Sequence, residues 1–198
     1  MAANGTNKLV LIASSTGGPK ALQTLIPLLD KRLDAAVVIV QHMPRGFTSS
    51  LAQRLDEISE ISVSEASDGE MLNKGHVYIA RGGTHLHLKR DEQGRLIFEE
   101  SYDEPVNALR PCADVTFKSV APLSVGSIIC VVLTGMGADG TEGIKCIKDW
   151  HSVYTIAQNK ATCVVYGMPK VVVERGIADI VLPLEDISKE IIKKVGVY

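Results

Sequence analysis

Short runs of β-branched and aliphatic residues alternate along this sequence with longer segments whose apolar residues recur at helical spacing. The short runs are typical of buried strands, and the predicted strands of this kind are Lys8–Ala13, Val37–Gln41, Ile128–Leu133, Val153–Ala157 and Ile180–Leu182. The predicted helices are Pro19–Asp34, Phe47–Ile58, Pro111–Ala121, Gly140–Trp150, Gly167–Arg175 and Glu185–Val195. This alternation predicts an α/β fold, with a doubly wound, mainly parallel sheet in a Rossmann-like, three-layer arrangement.

One segment, Val63–Glu99, departs from this alternation. It contains the runs Val77–Ala80, His85–Lys89 and Arg95–Glu99, which are separated by glycine-containing turns. Such a pattern predicts a strand followed by an antiparallel hairpin at the edge of the sheet. Since no repeat or internal linker is evident, we expect a single domain over residues 8–198. Residues 1–7 are then a disordered lead-in or a linker remnant.

Composition and charge exclude several classes of protein. The 198 residues are 45% hydrophobic and 22% charged, which is ordinary for one globular domain. The formal net charge is −2 and there is no long basic run, so no nucleic-acid partner is predicted. The apolar runs are shorter than the roughly 18–20 residues of a membrane helix. We therefore expect a cytoplasmic protein without membrane insertion, and a monomer because no heptad pattern is present.

No metal or cofactor is predicted. The four cysteines are far apart and form no C-x-x-C pair, so free, mostly buried thiols are expected. The pair His85-x-His87 has a spacing found in metal sites, but no third ligand lies nearby in the sequence. The dinucleotide fingerprint G-x-G-x-x-G and the phosphate-loop lysine motif are both absent after the first strand.

Polar, glycine-containing segments follow three of the predicted strands. They are Ser14–Gly18, Gln41–Pro44 and Thr134–Gly140. In an open parallel sheet the carboxyl ends of the strands lie at one edge, where loops and helix N-termini present backbone N–H groups. The three segments therefore bring a hydroxyl, an imidazole and a carboxylate to the same edge.

These three side-chain types are those of a serine hydrolase. A serine hydroxyl needs a base to accept its proton and a carboxylate to orient that base. Ser15, His42 and Asp139 are the candidates for nucleophile, base and acid, and the backbone N–H groups of Thr16 and Met136 are the candidates for an oxyanion hole. The order serine, histidine, acid and the lack of G-x-S-x-G exclude the α/β-hydrolase fold.

Other interpretations of the same residues remain open. Segment Ser14–Gly18 is also typical of a helix N-cap or a phosphate cradle. His42 could be a buried, hydrogen-bonded histidine, and Asp139 a turn residue or helix cap. Two alternative functions follow, a module that binds phosphate or a nucleotide and a catalytically silent interaction domain.

Several sequence blocks occur together in one order along the chain. They are S-T-G-G at 15–18, Q-H-M-P at 41–44, G-F at 46–47, D-G at 68–69, V-Y-I-A at 77–80, L-T-G-M-G at 133–137, D-G at 139–140, I-A-Q at 156–158 and G-M-P at 167–169. With these blocks the chain resembles the catalytic domain of the bacterial chemotaxis protein-glutamate methylesterases, the CheB family. The resemblance extends from about Lys8 to Val195.

The resemblance implies roles and a substrate. It makes Ser15 the nucleophile, His42 the base and Asp139 the orienting acid, with no cofactor. The implied reaction is hydrolysis of methylated glutamates on the cytoplasmic helical bundle of chemoreceptors, which releases methanol during adaptation in chemotaxis. Deamidation of receptor glutamines is implied as a second activity.

The sequence departs from the family pattern in two places. Family members commonly carry an N-terminal receiver domain that masks the active site, and nothing before Lys8 could be one, so we expect either an excised catalytic domain or a stand-alone relative. The residue before the nucleophile is commonly small and apolar, whereas Ser14 stands here. The choice between the two hydroxyls rests on motif alignment, which predicts Ser15.

Overall fold

Strands and helices alternate along most of the chain in the structure, a computed structural model that describes residues 6–198. Within that range the strands are β1 (Lys8–Ser14), β2 (Ala36–Gln41), β3 (Ser62–Glu65), β4 (His76–Ile79), β5 (His85–Arg90), β6 (Leu96–Ser101), β7 (Ser127–Val132), β8 (Val153–Gln158) and β9 (Ile180–Leu182). The α-helices are α1 (Gly18–Leu25), α2 (Phe47–Ile58), α3 (Ala113–Val120), α4 (Thr141–Lys148), α5 (Met168–Glu174) and α6 (Leu184–Val195).

The central sheet has seven strands in the order β3-β4-β2-β1-β7-β8-β9, and all neighbouring pairs are parallel. This confirms the predicted doubly wound α/β fold. Strands β5 and β6 form the predicted antiparallel hairpin, but as a separate two-stranded sheet rather than as an edge of the central one. The edge beyond β4 is instead occupied by β3, a strand that the sequence analysis did not predict.

Alternate residues of β1 divide the core into two layers. Leu9 and Leu11 lie in a buried cluster with residues of α3, α4, α5 and the hairpin. Val10 and Ile12 lie in a second cluster, on the opposite face, with residues of α1, α2 and α6. Because β1 is buried on both faces, it is apolar at successive positions rather than at alternate ones. Burying each such side chain contributes about 1.5–3 kcal/mol.

The first helix is shorter than the predicted Pro19–Asp34. Helix α1 ends at Leu25 and is followed by a 3₁₀ turn over Ile26–Leu28. Pro27 has no backbone N–H to donate, so it cannot continue the hydrogen-bond pattern of the α-helix. Leu33 is nevertheless fully buried, so the apolar spacing that predicted a helix continues beyond the end of α1.

Of the predicted lead-in, residues 1–5 lie outside the described residues. Thr6 and Asn7 are attached to the beginning of the sheet. The Thr6 hydroxyl donates to the Lys8 carbonyl at 2.9 Å and accepts from the Lys8 amide. The Asn7 carbonyl accepts a hydrogen bond from the Gly126 amide at 2.8 Å. These two residues therefore connect β1 to the turn before β7.

Neither a membrane span nor a metal cluster is found in residues 6–198. No helix in that range combines the length and the apolar character needed to cross a bilayer. No group of three or more His, Cys, Asp and Glu side chains there could hold a metal ion. Cys112 and Cys130 are buried, Cys146 and Cys163 are partly buried, and all four are free thiols, as predicted.

Candidate active site

The three polar segments predicted to meet do so at the carboxyl edge of neighbouring strands. Strands β2, β1 and β7 are adjacent in the centre of the sheet. A cavity of about 590 Å³ opens beyond their ends, and its lining includes Ser15, Thr16, His42, Met136 and Asp139. All five residues selected from the sequence therefore share one cavity. From β1 the chain first adds strands on one side of the sheet, beginning with β2, and later adds strands on the other side, beginning with β7. The cavity lies at this switch point, which is the usual place for a binding site in this architecture.

The two adjacent serines have different surroundings. Ser14 ends β1, is fully buried, and donates its hydroxyl to Oε1 of Gln41 at 2.7 Å. Ser15 is half-buried and lines the cavity. The chain then turns into α1 at Gly17, whose φ of 82° is unfavourable for other residues and whose missing side chain leaves room for Val164. Geometry therefore favours Ser15 as the reactive hydroxyl.

His42 is held by a short hydrogen bond. Its Nε2 lies 2.6 Å from Oδ2 of Asp139, and both side chains are largely buried. With Asp139 ionised, Nε2 carries the proton, and Nδ1 is the nitrogen left to act as a base. Within residues 6–198 the Ser15 hydroxyl makes no hydrogen bond to His42, although both side chains line the cavity. Catalytic hydrogen bonds are often long when no substrate is bound.

The carboxylate of Asp139 accepts four hydrogen bonds besides that of the imidazole. Oδ1 accepts from the Cys112 thiol at 3.1 Å, the Asp114 amide at 2.9 Å and the Gly140 amide at 3.0 Å. Oδ2 accepts from the Ala113 amide at 2.6 Å. Two of these amides open α3, so Asp139 lies at the N-terminus of that helix, where the helix dipole favours a negative charge.

These contacts have opposite effects on neighbouring groups. Burial alone would raise the pKa of Asp139, but hydrogen bonds from His42 and from the amides of α3 outweigh it and hold the pKa below its ordinary value. Burial and the nearby negative charge of Asp139 raise the pKa of the Cys112 thiol to about 12, so the thiol remains a donor. Burial likewise raises the pKa of Asp114.

Two backbone N–H groups in the cavity have no acceptor. Within residues 6–198, neither the Thr16 amide nor the Met136 amide donates a hydrogen bond to the protein. The carbonyl that shares a peptide with the Thr16 amide is that of Ser15, and it accepts from the Gly18 amide at 2.8 Å and from Nε2 of Gln41 at 3.0 Å. Because N–H and C=O point in opposite directions in a trans peptide, these bonds orient the Thr16 N–H.

The second N–H is oriented in the same way. The Met136 amide shares its peptide with the carbonyl of Gly135, which accepts from the amides of Gly167 at 3.1 Å and Met168 at 2.8 Å. A Cβ atom on Gly135 would lie 2.8 Å from Cβ of Ser15, closer than such atoms approach in proteins. Glycine at this position therefore lets the segment that follows β7 lie directly against the candidate nucleophile.

Sequence reasoning missed the residues that support Asp139. The donors Cys112, Ala113 and Asp114 come from the beginning of α3, which the sequence predicted as a helix without any link to the site. The signal that could have identified them is the tendency of a helix N-terminus to attract a carboxylate. An ion pair between Glu142 and Arg175 also lines the cavity and was not anticipated.

Comparisons with known proteins identify the family of this chain. The sequence model of the CheB methylesterase family matches residues 10–191. A protein-glutamate methylesterase/protein-glutamine glutaminase of Syntrophomonas wolfei is 48% identical over 189 residues, which are 94% of this chain and 53% of that protein. A protein of the same name from Thermotoga maritima is 47% identical over 190 residues, 96% of this chain and 55% of that protein.

A solved structure is also similar. The crystal structure of the Thermotoga maritima CheB methylesterase catalytic domain superimposes with a TM-score of 0.91 at 48% identity, and the match covers 95% of this chain and 98% of that one. The chain spans about half the length of the curated relatives it matches. The match of family, sequence and fold extends over nearly all of this chain, which therefore belongs to the CheB methylesterase family.

Proposed function

We propose that this chain hydrolyses glutamate methyl esters on chemoreceptors and releases methanol. The observation that carries the proposal is the buried His42–Asp139 pair, which shares one cavity with Ser15, Thr16 and Met136. The amides of the last two have no acceptor within residues 6–198. The names of the relatives, protein-glutamate methylesterases, support hydrolysis of methyl esters at glutamates of a protein substrate. Because the proposed substrate is the cytoplasmic part of a receptor, the proposal includes a cytoplasmic location. It also includes action as a monomer, because the sequence has no heptad pattern.

The first half of the proposed reaction forms an acyl-enzyme. Nδ1 of His42 accepts the proton of the Ser15 hydroxyl as its oxygen attacks the ester carbonyl. Asp139 holds the proton of Nε2 and stabilises the imidazolium that forms. The N–H groups of Thr16 and Met136 donate to the tetrahedral oxyanion. When the intermediate collapses, the bond to the methoxy group breaks and the imidazolium protonates the departing methanol.

The second half regenerates the enzyme. A water molecule takes the place of methanol, gives a proton to Nδ1 of His42 and attacks the acyl carbon. When the second tetrahedral intermediate collapses, the bond between the acyl carbon and Oγ of Ser15 breaks and the imidazolium returns its proton to Oγ. Glutamate is released as the free acid, which ionises in water. A glutamine side chain enters the same sequence with ammonia as the leaving group. The glutaminase activity in the names of the relatives therefore needs no second site.

Methanol release from a methyl-esterified receptor fragment tests the proposal. We expect wild type to release methanol and Ser15→Ala to lose at least about 10³-fold in rate, because its nucleophile is gone. Ser127→Ala is the matched control, because Ser127 lies at the opposite end of β7. Near wild-type release by Ser15→Ala would refute the assignment of the nucleophile.

The alternative of a phosphate-binding module predicts a different result. Such a module would give a stoichiometric heat with nucleotides in calorimetry and no reaction with a serine-directed fluorophosphonate. The proposed hydrolase should form a covalent adduct with the fluorophosphonate at Ser15, and the adduct should be absent from Ser15→Ala. Mass spectrometry of the labelled peptide would also decide between Ser15 and Ser14. An unlabelled wild-type chain would favour one of the two alternatives without catalysis.

A further inference from the structure

Gln41 is a buried amide whose polar atoms all contact the ends of the two strands that carry Ser15 and His42. Its Oε1 accepts from the Ser14 hydroxyl at 2.7 Å. Its Nε2 donates to the Ser15 carbonyl at 3.0 Å and to the His42 carbonyl at 3.2 Å. The residue is only 2% exposed, so it does not contact a substrate.

The orientation of this amide is determined by its partners. If the side chain were rotated by 180°, Oε1 would face two carbonyl oxygens, which cannot donate a hydrogen bond. In the observed orientation both N–H groups of Nε2 have an acceptor and Oε1 has a donor. A fully satisfied buried amide of this kind is rigid, since any rotation leaves polar groups unpaired.

One of these bonds acts on the proposed oxyanion hole. The Ser15 carbonyl belongs to the peptide whose N–H is that of Thr16. A rotation of that peptide would turn the N–H away from the cavity and direct a carbonyl oxygen toward the developing negative charge. The Gln41 amide opposes this rotation together with the Gly18 amide, which donates to the same carbonyl at 2.8 Å.

The other bond acts on the base. By donating to the His42 carbonyl, Gln41 fixes the backbone from which the imidazole projects. The same Nε2 atom therefore sets the position of the base and of an oxyanion donor relative to each other. Displacements of about 1 Å in such a constellation can cost about 10²-fold in rate.

We infer that Gln41 is a positioning residue of the esterase reaction, which orients the Thr16 N–H and the backbone of His42 through its side-chain amide. This inference rests on the proposed function. It assigns a role in catalysis to a residue that touches neither the substrate nor the reacting atoms.

Two substitutions of Gln41 test the inference. Gln41→Met retains an unbranched side chain of similar length but donates no hydrogen bond and accepts only weakly. Gln41→Glu retains an acceptor for the Ser14 hydroxyl and has at most one proton to donate, so at least one of the two carbonyls loses its donor. We expect each to lower kcat by between about tenfold and a hundredfold, less than the roughly 10²–10³-fold for complete loss of an oxyanion donor, because the Gly18 amide still holds the Ser15 carbonyl.

The division between kcat and KM distinguishes positioning from general damage. KM for the receptor ester should change by less than about threefold, because the buried amide makes no contact with the substrate. The rate constant for fluorophosphonate labelling of Ser15 should fall in parallel with kcat, since that reaction uses the same base and oxyanion donors.

The matched control is Tyr78→Phe. Tyr78 lies on β4, the strand next to β2, and its buried hydroxyl donates to the Met71 carbonyl and accepts from the Asn73 amide. The control therefore also removes two hydrogen bonds between a buried side chain and the backbone, but at a distance from the cavity. We expect it to lower the melting temperature to a similar extent and to leave kcat within about twofold of wild type.

The outcomes separate the two proposals. If wild type neither releases methanol nor reacts with the fluorophosphonate, the proposed function is refuted and this inference with it. If wild type is active and both Gln41 variants keep kcat within threefold, only the inference is overturned. It is also overturned if Tyr78→Phe loses as much kcat as the Gln41 variants, because loss of stability would then explain the result.

Discussion

Replacing Asp139 by asparagine should invert the hydrogen bonding of the candidate base. Asparagine has one acceptor oxygen and one NH₂ group, whereas the carboxylate accepts at both oxygens. The oxygen is expected to take the place of Oδ1, because three donors, the Cys112 thiol and the amides of Asp114 and Gly140, face that atom. The NH₂ group then replaces Oδ2 and faces the imidazole and the Ala113 amide.

The consequence for catalysis follows from the tautomer. An NH₂ group opposite Nε2 of His42 makes that nitrogen an acceptor, so the ring proton moves to Nδ1. Nδ1 can then no longer take a proton from Ser15. Stabilising the wrong tautomer of a catalytic histidine costs about 10⁴-fold in kcat in a serine protease with the same three groups. We expect a loss of that order here.

The consequence for stability is smaller. In Asp139→Asn the N–H of Ala113 loses its acceptor, which costs about 1–3 kcal/mol. For a chain of this size 1 kcal/mol corresponds to about 2–4 °C, so the melting temperature should fall by about 2–12 °C. The variant therefore remains folded at assay temperature, and its loss of activity can be attributed to the site.

Initial rates of methanol release, measured for wild type, Asp139→Asn and Asp186→Asn, check this prediction. Asp186 is a partly exposed residue at the beginning of α6, where the same substitution should leave kcat unchanged. A folded Asp139→Asn variant that kept kcat within tenfold of wild type would refute the argument from the tautomer.

Three further predictions concern the same region. Because the pKa of Asp139 is lowered, its stabilising effect should be complete above its ordinary pKa of about 3.9 and be lost as the pH falls through the lower folded-state value. The melting temperatures of wild type and Asp139→Asn should therefore begin to approach each other below about pH 4 and converge only at lower pH. Because burial raises the pKa of Asp114, its ionisation should reduce stability as the pH rises above about 3.9. Asp114→Asn keeps an oxygen for the Gly143 amide, so its gain in melting temperature over wild type should increase with pH, and a gain independent of pH would contradict this reasoning. Gly135→Ala should displace Ser15, lower kcat by about 10²-fold and reduce the free energy of unfolding by about 1–3 kcal/mol. If kinetics and thermal melting showed neither effect, the argument from the close approach of Gly135 to Ser15 would be wrong.

The central elements of the fold could be predicted because their sequences are apolar without interruption. Strands buried on both faces, such as β1 and β7, differ from the predicted ranges by a residue at their ends. Strand β3, with the sequence S-V-S-E, escaped prediction because it lies at the edge of the sheet, where only Val63 is buried. An edge strand needs few apolar residues, so its pattern resembles that of a loop.

Part of the candidate site could be predicted for a topological reason. Parallel strands bring their carboxyl ends to one edge of the sheet. If β1, β2 and β7 are adjacent strands, the segments that follow them must therefore also be adjacent. The support of Asp139 by Cys112 and the α3 amides could not be predicted in this way. It depends on how α3, the helix that follows the β5–β6 hairpin, packs on the sheet. The hydrophobic periodicity of the sequence does not encode such a contact between elements. Which ring nitrogen of His42 contacts Asp139 depends on the side-chain rotamer of His42, which the sequence does not determine.

The N–H groups that are proposed to act on the substrate are defined by what holds the opposite side of their peptides. In the part of the chain that the structure describes, the Thr16 and Met136 amides have no acceptor, while the carbonyl on the opposite side of each peptide, that of Ser15 or Gly135, accepts two hydrogen bonds. In each case the occupying donors come from a helix N-terminus, α1 or α5, and in the first also from Gln41. Helix N-termini have unpaired N–H groups to donate. Here they donate those groups to the two carbonyls, which restrains the peptides that carry the N–H groups of Thr16 and Met136, two residues that line the cavity. An oxyanion hole of this design requires no side-chain donor, and it should therefore be sensitive to residues such as Gln41 and Gly135 that never touch the substrate.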